Sequence, residues 1–186
     1  MPGEAGKSRL VAYAGRPGAF GEMACRARFP DRQPIGMAGF AAVVQAIADG
    51  RVPCGMIPLC NSGAGAVPGV AELLRSDAVR VTGHHALPVA MHCLALPGAT
   101  IAGLREVHSH PVALRQCERF LARTGLLAVT ADDTAQAAQM VRERGDVGVA
   151  ALGSARAGEL YSLHTLAAAV QDAENNTTTF AVVERA

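Results

Sequence analysis

Short runs of apolar residues alternate along this chain with stretches of helical periodicity, and polar turns separate the two. Residues 9–14 (RLVAYA) and 55–59 (GMIPL) are short and almost continuously apolar, which predicts buried strands. Residues 40–47 (FAAVVQAI) run into Asp49-Gly50, the pattern of a helix with a glycine stop. The clearest helix is predicted over residues 111–123. Pro111 suits a first helical position, and Ala113, Leu114, Cys117, Phe120 and Leu121 fall on one face. Residues 126–129 predict a strand, 133–144 a helix and 147–152 a buried strand. Alternation of this kind predicts an α/β fold with mainly parallel strands. No internal repeat, low-complexity tract or linker interrupts it.

Ligands of α/β sheets bind at the carboxyl ends of strands, where turns present backbone N–H groups and helix N-termini. Four turns qualify: residues 15–22 (GRPGAFGE), 58–67 (PLCNSGAGAV), 109–114 (SHPVAL) and 176–180 (NTTTF). In the third, Ser109 can cap the helix that Pro111 opens, and the remaining amides of the first turn could receive a carboxylate or phosphate. An ordinary helix cap explains the same residues. Asn61-Ser62 before Gly63 and Gly65 reads in the same two ways. The three threonines 177–179 suit a strand with one polar face. A hydroxyl there could instead donate a proton or hydrogen bond to a substrate. His84, His85 and His92 fall on a strand joining two lobes, where a structural role is expected.

Composition narrows the chemistry. Of 186 residues half are hydrophobic and 18% are charged, and the net charge is +1 with Lys and Arg spread along the chain. A basic surface for nucleic acid is not expected. The N-terminus lacks the apolar core of a signal peptide and no run of about 18 apolar residues could span a bilayer, so the expected location is the cytoplasm. Cys25, Cys54, Cys60, Cys93 and Cys117 make an odd set without a C-x-x-C pair. That spacing fits neither a disulfide framework nor zinc, and reduced, buried thiols are expected. No metal site is expected, since no His/Cys/Asp grouping has ligand spacing. The Gly-Lys-Ser/Thr ending of a phosphate loop and the Gly-x-Ser-x-Gly elbow of a serine hydrolase are both missing.

Taken in order, the segments resemble the catalytic domain of prephenate dehydratase. VAYAGRPGAFGE (11–22) is similar to V-A-Y-L-G-P-x-G-T-F-S-E, and GMIPLCNSGAGAV (55–67) to G-V-V-P-I-E-N-S-x-E-G-S-V. HSHPVALRQC (108–117) resembles Y-S-H-P-Q-A-L-x-Q-C, and DTAQAA (133–138) resembles S-T-A-E-A-A. VQD (170–172) and NTTTF (176–180) are similar to I-Q-D and N-x-T-R-F.

The resemblance implies a two-lobed α/β fold of the periplasmic-binding-protein type (type II) with the ligand cleft between lobes. The chain would cross near residues 83–89 and return near 162–166, giving one lobe from 1–84 plus 162–186 and another from 85–161. The implied reaction is the decarboxylative dehydration of prephenate to phenylpyruvate, with no cofactor and a small anionic metabolite as partner. Thr178 aligns with the family's essential threonine. Asn61 and Ser62 are further catalytic candidates, and Arg16, Cys60, Ser109, His110, Thr179 and Phe180 are substrate-binding candidates, Arg16 by its position alone. A homodimer or homotetramer is expected. The family's regulatory ACT domain would follow the last strand, and with the sequence ending at Ala186 feedback control through it is expected to be absent.

Several motif positions differ. The arginine of Thr-Arg-Phe is Thr179, the glutamate of Glu-Asn-Ser is Cys60, and the glutamate beyond that motif is Ala64. Ala19 and Gly21 replace the Thr and Ser of the first motif. Arg16 stands where the family has proline and is the candidate replacement cation. Cys60 is either a packed thiol or a cleft-facing nucleophile or donor. Three functions fit these residues: a dehydratase without regulation, a diverged lyase such as a non-aromatising prephenate decarboxylase of an antibiotic pathway, and a small-acid-binding protein without catalysis.

Overall fold

The computed structural model describes residues 9–186; residues 1–8, which include most of the stretch read above for a targeting segment, lie outside the described residues. The chain divides into two units. The first holds the described residues up to Arg16, Phe20–Pro88 and Thr177–Ala186, and the second holds Pro17–Ala19 and Val89–Asn176.

Unit 1 contains β1 (Leu10–Ala14), α1 (Phe20–Arg28), β2 (Gln33–Met37), α2 (Phe40–Ala48), β3 (Cys54–Asn61), β4 (Gly65–Ala66), α3 (Val70–Leu73), β5 (Val79–Pro88) and the final strand β11 (Thr177–Arg185). Its sheet has the order β2-β1-β3-β11-β5, with β4 added to β3. Ala12, Ile57, Ala181 and Val183 pack against Val43, Val44, Ala46 and Ile47 of α2. Gly55 permits that approach, because a Cβ there would lie 2.6 Å from Val43 Cγ1 and 3.1 Å from the Ala12 carbonyl. As the sequence predicts, α2 stops at Asp49 and Gly50, the latter at φ 66°.

Unit 2 contains β6 (His92–Ala95), β7 (Glu106–Ser109), α4 (Pro111–Arg115), α5 (Glu118–Thr124), β8 (Leu127–Thr130), α6 (Thr134–Arg144), β9 (Val149–Gly153), α7 (Ala155–Leu160) and β10 (His164–Ala167). The sheet order is β10-β6-β9-β7-β8. Leu94, Ala151 and Val149 close on Ala137, Ala138 and Val141 of α6, and Asp133 caps that helix by accepting the Gln136 N–H at 2.6 Å.

The α/β class holds, but the strands are not mainly parallel. β1 runs parallel to β2 and β3, and β7 parallel to β8 and β9. β11 is antiparallel to both β3 and β5, and β6 to both β9 and β10. The reason is topological. The chain re-enters unit 1 beside the end of β3, so β11 can only run back along it. The return lies at Asn176–Thr177 rather than near 162–166, because β10 adds to the second sheet.

The helix predicted over 111–123 is two. Cys117 leaves helical geometry at φ −125°, ψ 26°. Asp172 holds the break open: its N–H donates to the Gln116 carbonyl at 2.7 Å, and its Oδ1 accepts the Arg119 N–H at 3.1 Å. Thus the V-Q-D segment supplies the cap that starts α5.

Candidate functional site

β1 and β3 run parallel and β11 antiparallel to them, so the end of β1, the end of β3 and the start of β11 share one edge of the first sheet. Exposed Arg16 follows β1 there, Asn61 and Ser62 end β3, and Thr177–Thr179 begin β11. Thr178 stands opposite Asn61 on one side and Leu87 on the other, and Thr179 stands opposite Cys60 and Ala86.

Asn61 ties this corner together. Its Oδ1 accepts the N–H groups of Gly63 at 2.9 Å and Ala64 at 3.0 Å. With the carbonyl oxygen fixed by two donors, the amide can only be read with Nδ2 pointing the other way. Nδ2 donates to Thr178 Oγ1 at 3.0 Å. A threonine hydroxyl has one proton to give, and with its oxygen accepting from Asn61 that proton is directed elsewhere. Ser62 closes the corner differently: its N–H donates to the Thr177 carbonyl and its Oγ accepts the Thr177 N–H, both at 2.9 Å.

The other candidates in unit 1 separate from this group. Side chains alternate along a strand, so Thr177, Thr179, Ala181 and Val183 share the α2 side while Thr178, Phe180 and Val182 share the opposite one. Thr179 therefore faces away from Thr178. Phe180 is 2% exposed, a core residue rather than a surface that could meet a ligand in this conformation. Cys60 is exposed, unlike Cys25, Cys54, Cys93 and Cys117, so the expectation of five buried thiols fails at this one. Burial pushes the thiols of Cys93 and Cys117 up to about 12.

Unit 2 carries Ser109 and His110. Ser109 is fully buried and its Oγ donates to the Leu152 carbonyl at 2.7 Å, tying β7 to β9. It is not the helix cap. That role falls to His110, whose Nδ1 accepts the Val112 N–H at 3.2 Å, and burial lowers the affinity of its imidazole for a second proton. His92 lies on β6 rather than on the strand that holds His84 and His85, and burial shifts it in the same direction. Ser154 and Tyr161, not singled out in the sequence, hold the first-motif loop. Ser154 Oγ donates to the Gly18 carbonyl at 2.6 Å while accepting the Ala157 N–H at 3.0 Å, and the Tyr161 hydroxyl donates to the Pro17 carbonyl at 2.9 Å. Their sequence signal was an N-cap serine two residues past a buried strand. Among the described residues no cluster of His, Cys, Asp or Glu could hold a metal ion, and no helix is long and apolar enough to cross a membrane.

Residues 11–186 match the prephenate dehydratase family model. The chain belongs to the prephenate dehydratase family. It is 40% identical over 177 residues to a bifunctional N-acyl-homoserine lactone acylase/prephenate dehydratase of Komagataeibacter europaeus, covering 95% of this chain and 63% of that one. Arogenate dehydratase/prephenate dehydratase 1 of Arabidopsis thaliana, a chloroplastic protein, is 34% identical, covering 94% and 45% respectively. The prephenate dehydratase of Arthrobacter aurescens, solved in complex with L-Phe, superposes with a TM-score of 0.87 over 95% of this chain and 60% of that one at 19% identity, which establishes the shared fold. The chain thus spans less than two thirds of the length of these relatives.

Within the prephenate dehydratase framework, Ala64 and Gly21 each have a local role in this chain. Ala64 contributes only its backbone N–H to Asn61. A Cβ at Gly21 would sit 3.2 Å from Tyr13 Cδ2, so glycine lets the buried Tyr13 ring pack under α1.

Proposed function

We propose that the chain is a lyase acting on prephenate or the closely similar arogenate, removing carbon dioxide and the ring hydroxyl together to leave an aromatic ring. The observation that supports this reading is the 3.0 Å hydrogen bond from Asn61 Nδ2 to Thr178 Oγ1, with Asn61 locked by Gly63 and Ala64. In the reaction, the bond from the ring to its carboxylate breaks and its electron pair becomes part of the new π system. The ring C–O bond breaks, and the departing oxygen takes the Thr178 hydroxyl proton and leaves as water. Solvent returns a proton to Thr178. The Asn61 N–H opposes charge on the threonine oxygen while the proton is away, as a preorganised donor should. Arg16, at the same sheet edge, is the cation proposed for a substrate carboxylate. A homodimer or homotetramer is the proposed assembly.

A second reading is drawn from the Komagataeibacter relative, whose name joins prephenate dehydratase to an N-acyl-homoserine lactone acylase. Three parallel incubations separate the possibilities. With prephenate or arogenate, an aromatic product appearing with carbon dioxide supports the dehydratase. Carbon dioxide without an aromatic product points to a non-aromatising decarboxylase. Release of a fatty acid from an N-acyl-homoserine lactone supports the acylase. Thermal stabilisation by prephenate with no turnover in any arm leaves a binding protein and sinks the lyase reading.

A further inference from the structure

The loop from Gly15 to Gly18 is held at three points. The Gly15 N–H donates to the Met37 carbonyl at 2.9 Å. The Pro17 carbonyl accepts the Tyr161 hydroxyl at 2.9 Å, and the Gly18 carbonyl accepts the Ser154 hydroxyl at 2.6 Å. Arg16 is the residue enclosed by these anchors. Its own torsions are narrowed further, because Pro17 has a fixed φ and disfavours helical geometry in the residue before it. Gly18 seats the loop directly on α7: its φ is 94°, and a Cβ there would come within 3.0 Å of the Ala157 Cα. Tyr161 is anchored in turn. Its ring packs against the buried cluster that contains Leu94, Ala157 and Leu163, which sets the reach of the hydroxyl. Gly18 and Ala19 are buried while Arg16 and Pro17 are exposed, so the loop is pinned from beneath and presents residue 16 outward.

We infer that Tyr161 is a positioning residue for Arg16, fixing through the Pro17 carbonyl the backbone from which the guanidinium meets a substrate carboxylate. Ser154 holds the same loop one residue further on, but it is fully buried with two partners, so its loss is felt by the whole fold. The Tyr161 bond is exposed, and water takes its place when it is removed, so stability hardly changes. What water does not replace is direction. A guanidinium displaced by about 1 Å loses its two-point alignment with a carboxylate. The substrate part of this inference rests on the lyase reading, in which Arg16 takes the carboxylate; the anchoring of the loop does not.

The test is a double-mutant cycle of Tyr161→Phe and Arg16→Ala, read in steady-state kinetics with prephenate. Tyr161→Phe is expected to raise KM about 3–10-fold, the scale of one hydrogen bond, with kcat held within about twofold. On an Arg16→Ala background the same substitution should add nothing to KM. A KM unmoved by Tyr161→Phe overturns the proposal. So does an equal rise on both backgrounds, which would show an effect that does not pass through Arg16. A fall in kcat at constant KM would place Tyr161 in the chemical step and overturn it as well. Amide hydrogen exchange over residues 15–19 needs no turnover: it should accelerate in Tyr161→Phe while exchange in β9 stays the same, and unchanged exchange in the loop overturns the anchoring. Inactivity of the parent toward prephenate fails the lyase reading, and hydrogen exchange alone then decides the anchoring.

Discussion

Asn61 and Thr178 lie directly opposite each other in the β3–β11 ladder, joined by a 3.0 Å hydrogen bond that runs from amide to hydroxyl. The direction is set by Gly63 and Ala64, which hold the amide oxygen. Asn61→Asp keeps that acceptor and nearly the same shape but cannot donate to Thr178. It is expected to fold with an unchanged melting temperature and to lose on the order of 10²–10³-fold in kcat, the range for removing one preorganised donor. Thr178→Val, isosteric and without a proton, should lose on the order of 10²–10⁴-fold, while Thr178→Ser retains most of the rate. Steady-state formation of the aromatic product measures all three.

Ser154 serves two partners at once, the Gly18 carbonyl and the Ala157 N–H, and it is fully buried. Ser154→Ala leaves both groups without it and is expected to cost about 1–3 kcal/mol, a fall of several degrees in Tm. Gly18 has φ 94°, and a Cβ there would lie 3.0 Å from Ala157 Cα. Gly18→Ala should therefore destabilise at least as much, through strain and contact together. Tyr161→Phe removes one exposed bond and should change Tm little. Differential scanning fluorimetry ranks the three, and equal effects for Ser154→Ala and Tyr161→Phe would count against this account of the loop.

The apolar runs made β1, β3, α2, α6 and β9 legible because each buries a continuous face, and local periodicity reports burial well. Long-range pairing is what the runs could not report. The pattern of β11 is that of any buried strand, and only its partner decides whether it runs parallel. Likewise, residues 111–123 carry one unbroken helical stripe. The break at Cys117 is imposed by Asp172, 53 positions from the Arg119 amide it caps. At the edge of the first sheet, the motifs singled out Asn61, Ser62 and Thr178, which the β3–β11 pairing brings together. They grouped Thr179 and Phe180 with them by adjacency, and adjacency along a strand alternates sides. Ser154 carried no motif of its own, since its work is done on a carbonyl in a distant loop.

The Asp172 cap can be tested directly. Asp172→Ala removes the acceptor for the Arg119 N–H at the start of α5 and should cost about 0.5–2 kcal/mol. Asp172→Asn, which keeps an oxygen in place, should recover most of it. Hydrogen exchange at the Arg119 amide is the local readout, and it should accelerate in Asp172→Ala more than exchange in β9 does.

Glu106 gives a pH dependence with a definite sign. The His108 hydrogen bond first, then the Arg144 guanidinium at 2.6 Å, hold its carboxyl below the ordinary value of 4.5. A carboxylate depressed in the folded state binds fewer protons there than in the unfolded chain. Its contribution is therefore present above about pH 4.5 and is lost as pH falls through the folded value. Urea midpoints compared at pH 7 and below pH 4 should fall less on acidification in Glu106→Gln than in the parent. A parent and variant that lose stability in parallel would place the acid sensitivity elsewhere.

Thiol counting offers the simplest check on the sheet edge. Cys60 is exposed whereas Cys25, Cys54, Cys93 and Cys117 are buried, and the burial that raises Cys93 and Cys117 to about 12 also keeps them protonated near pH 8. Only thiolate reacts with an aromatic disulfide reagent, so burial keeps Cys93 and Cys117 out of the rapid phase both by access and by ionisation. The native protein is expected to release one rapid equivalent and the urea-unfolded protein five, one for each cysteine in the sequence. Cys60→Ser should abolish the rapid phase and leave the slow ones. Because Cys60 projects to the side of β3 opposite Asn61, saturating prephenate should leave its labelling rate within about twofold. Strong protection by prephenate would instead place the bound molecule on the Cys60 side of the sheet.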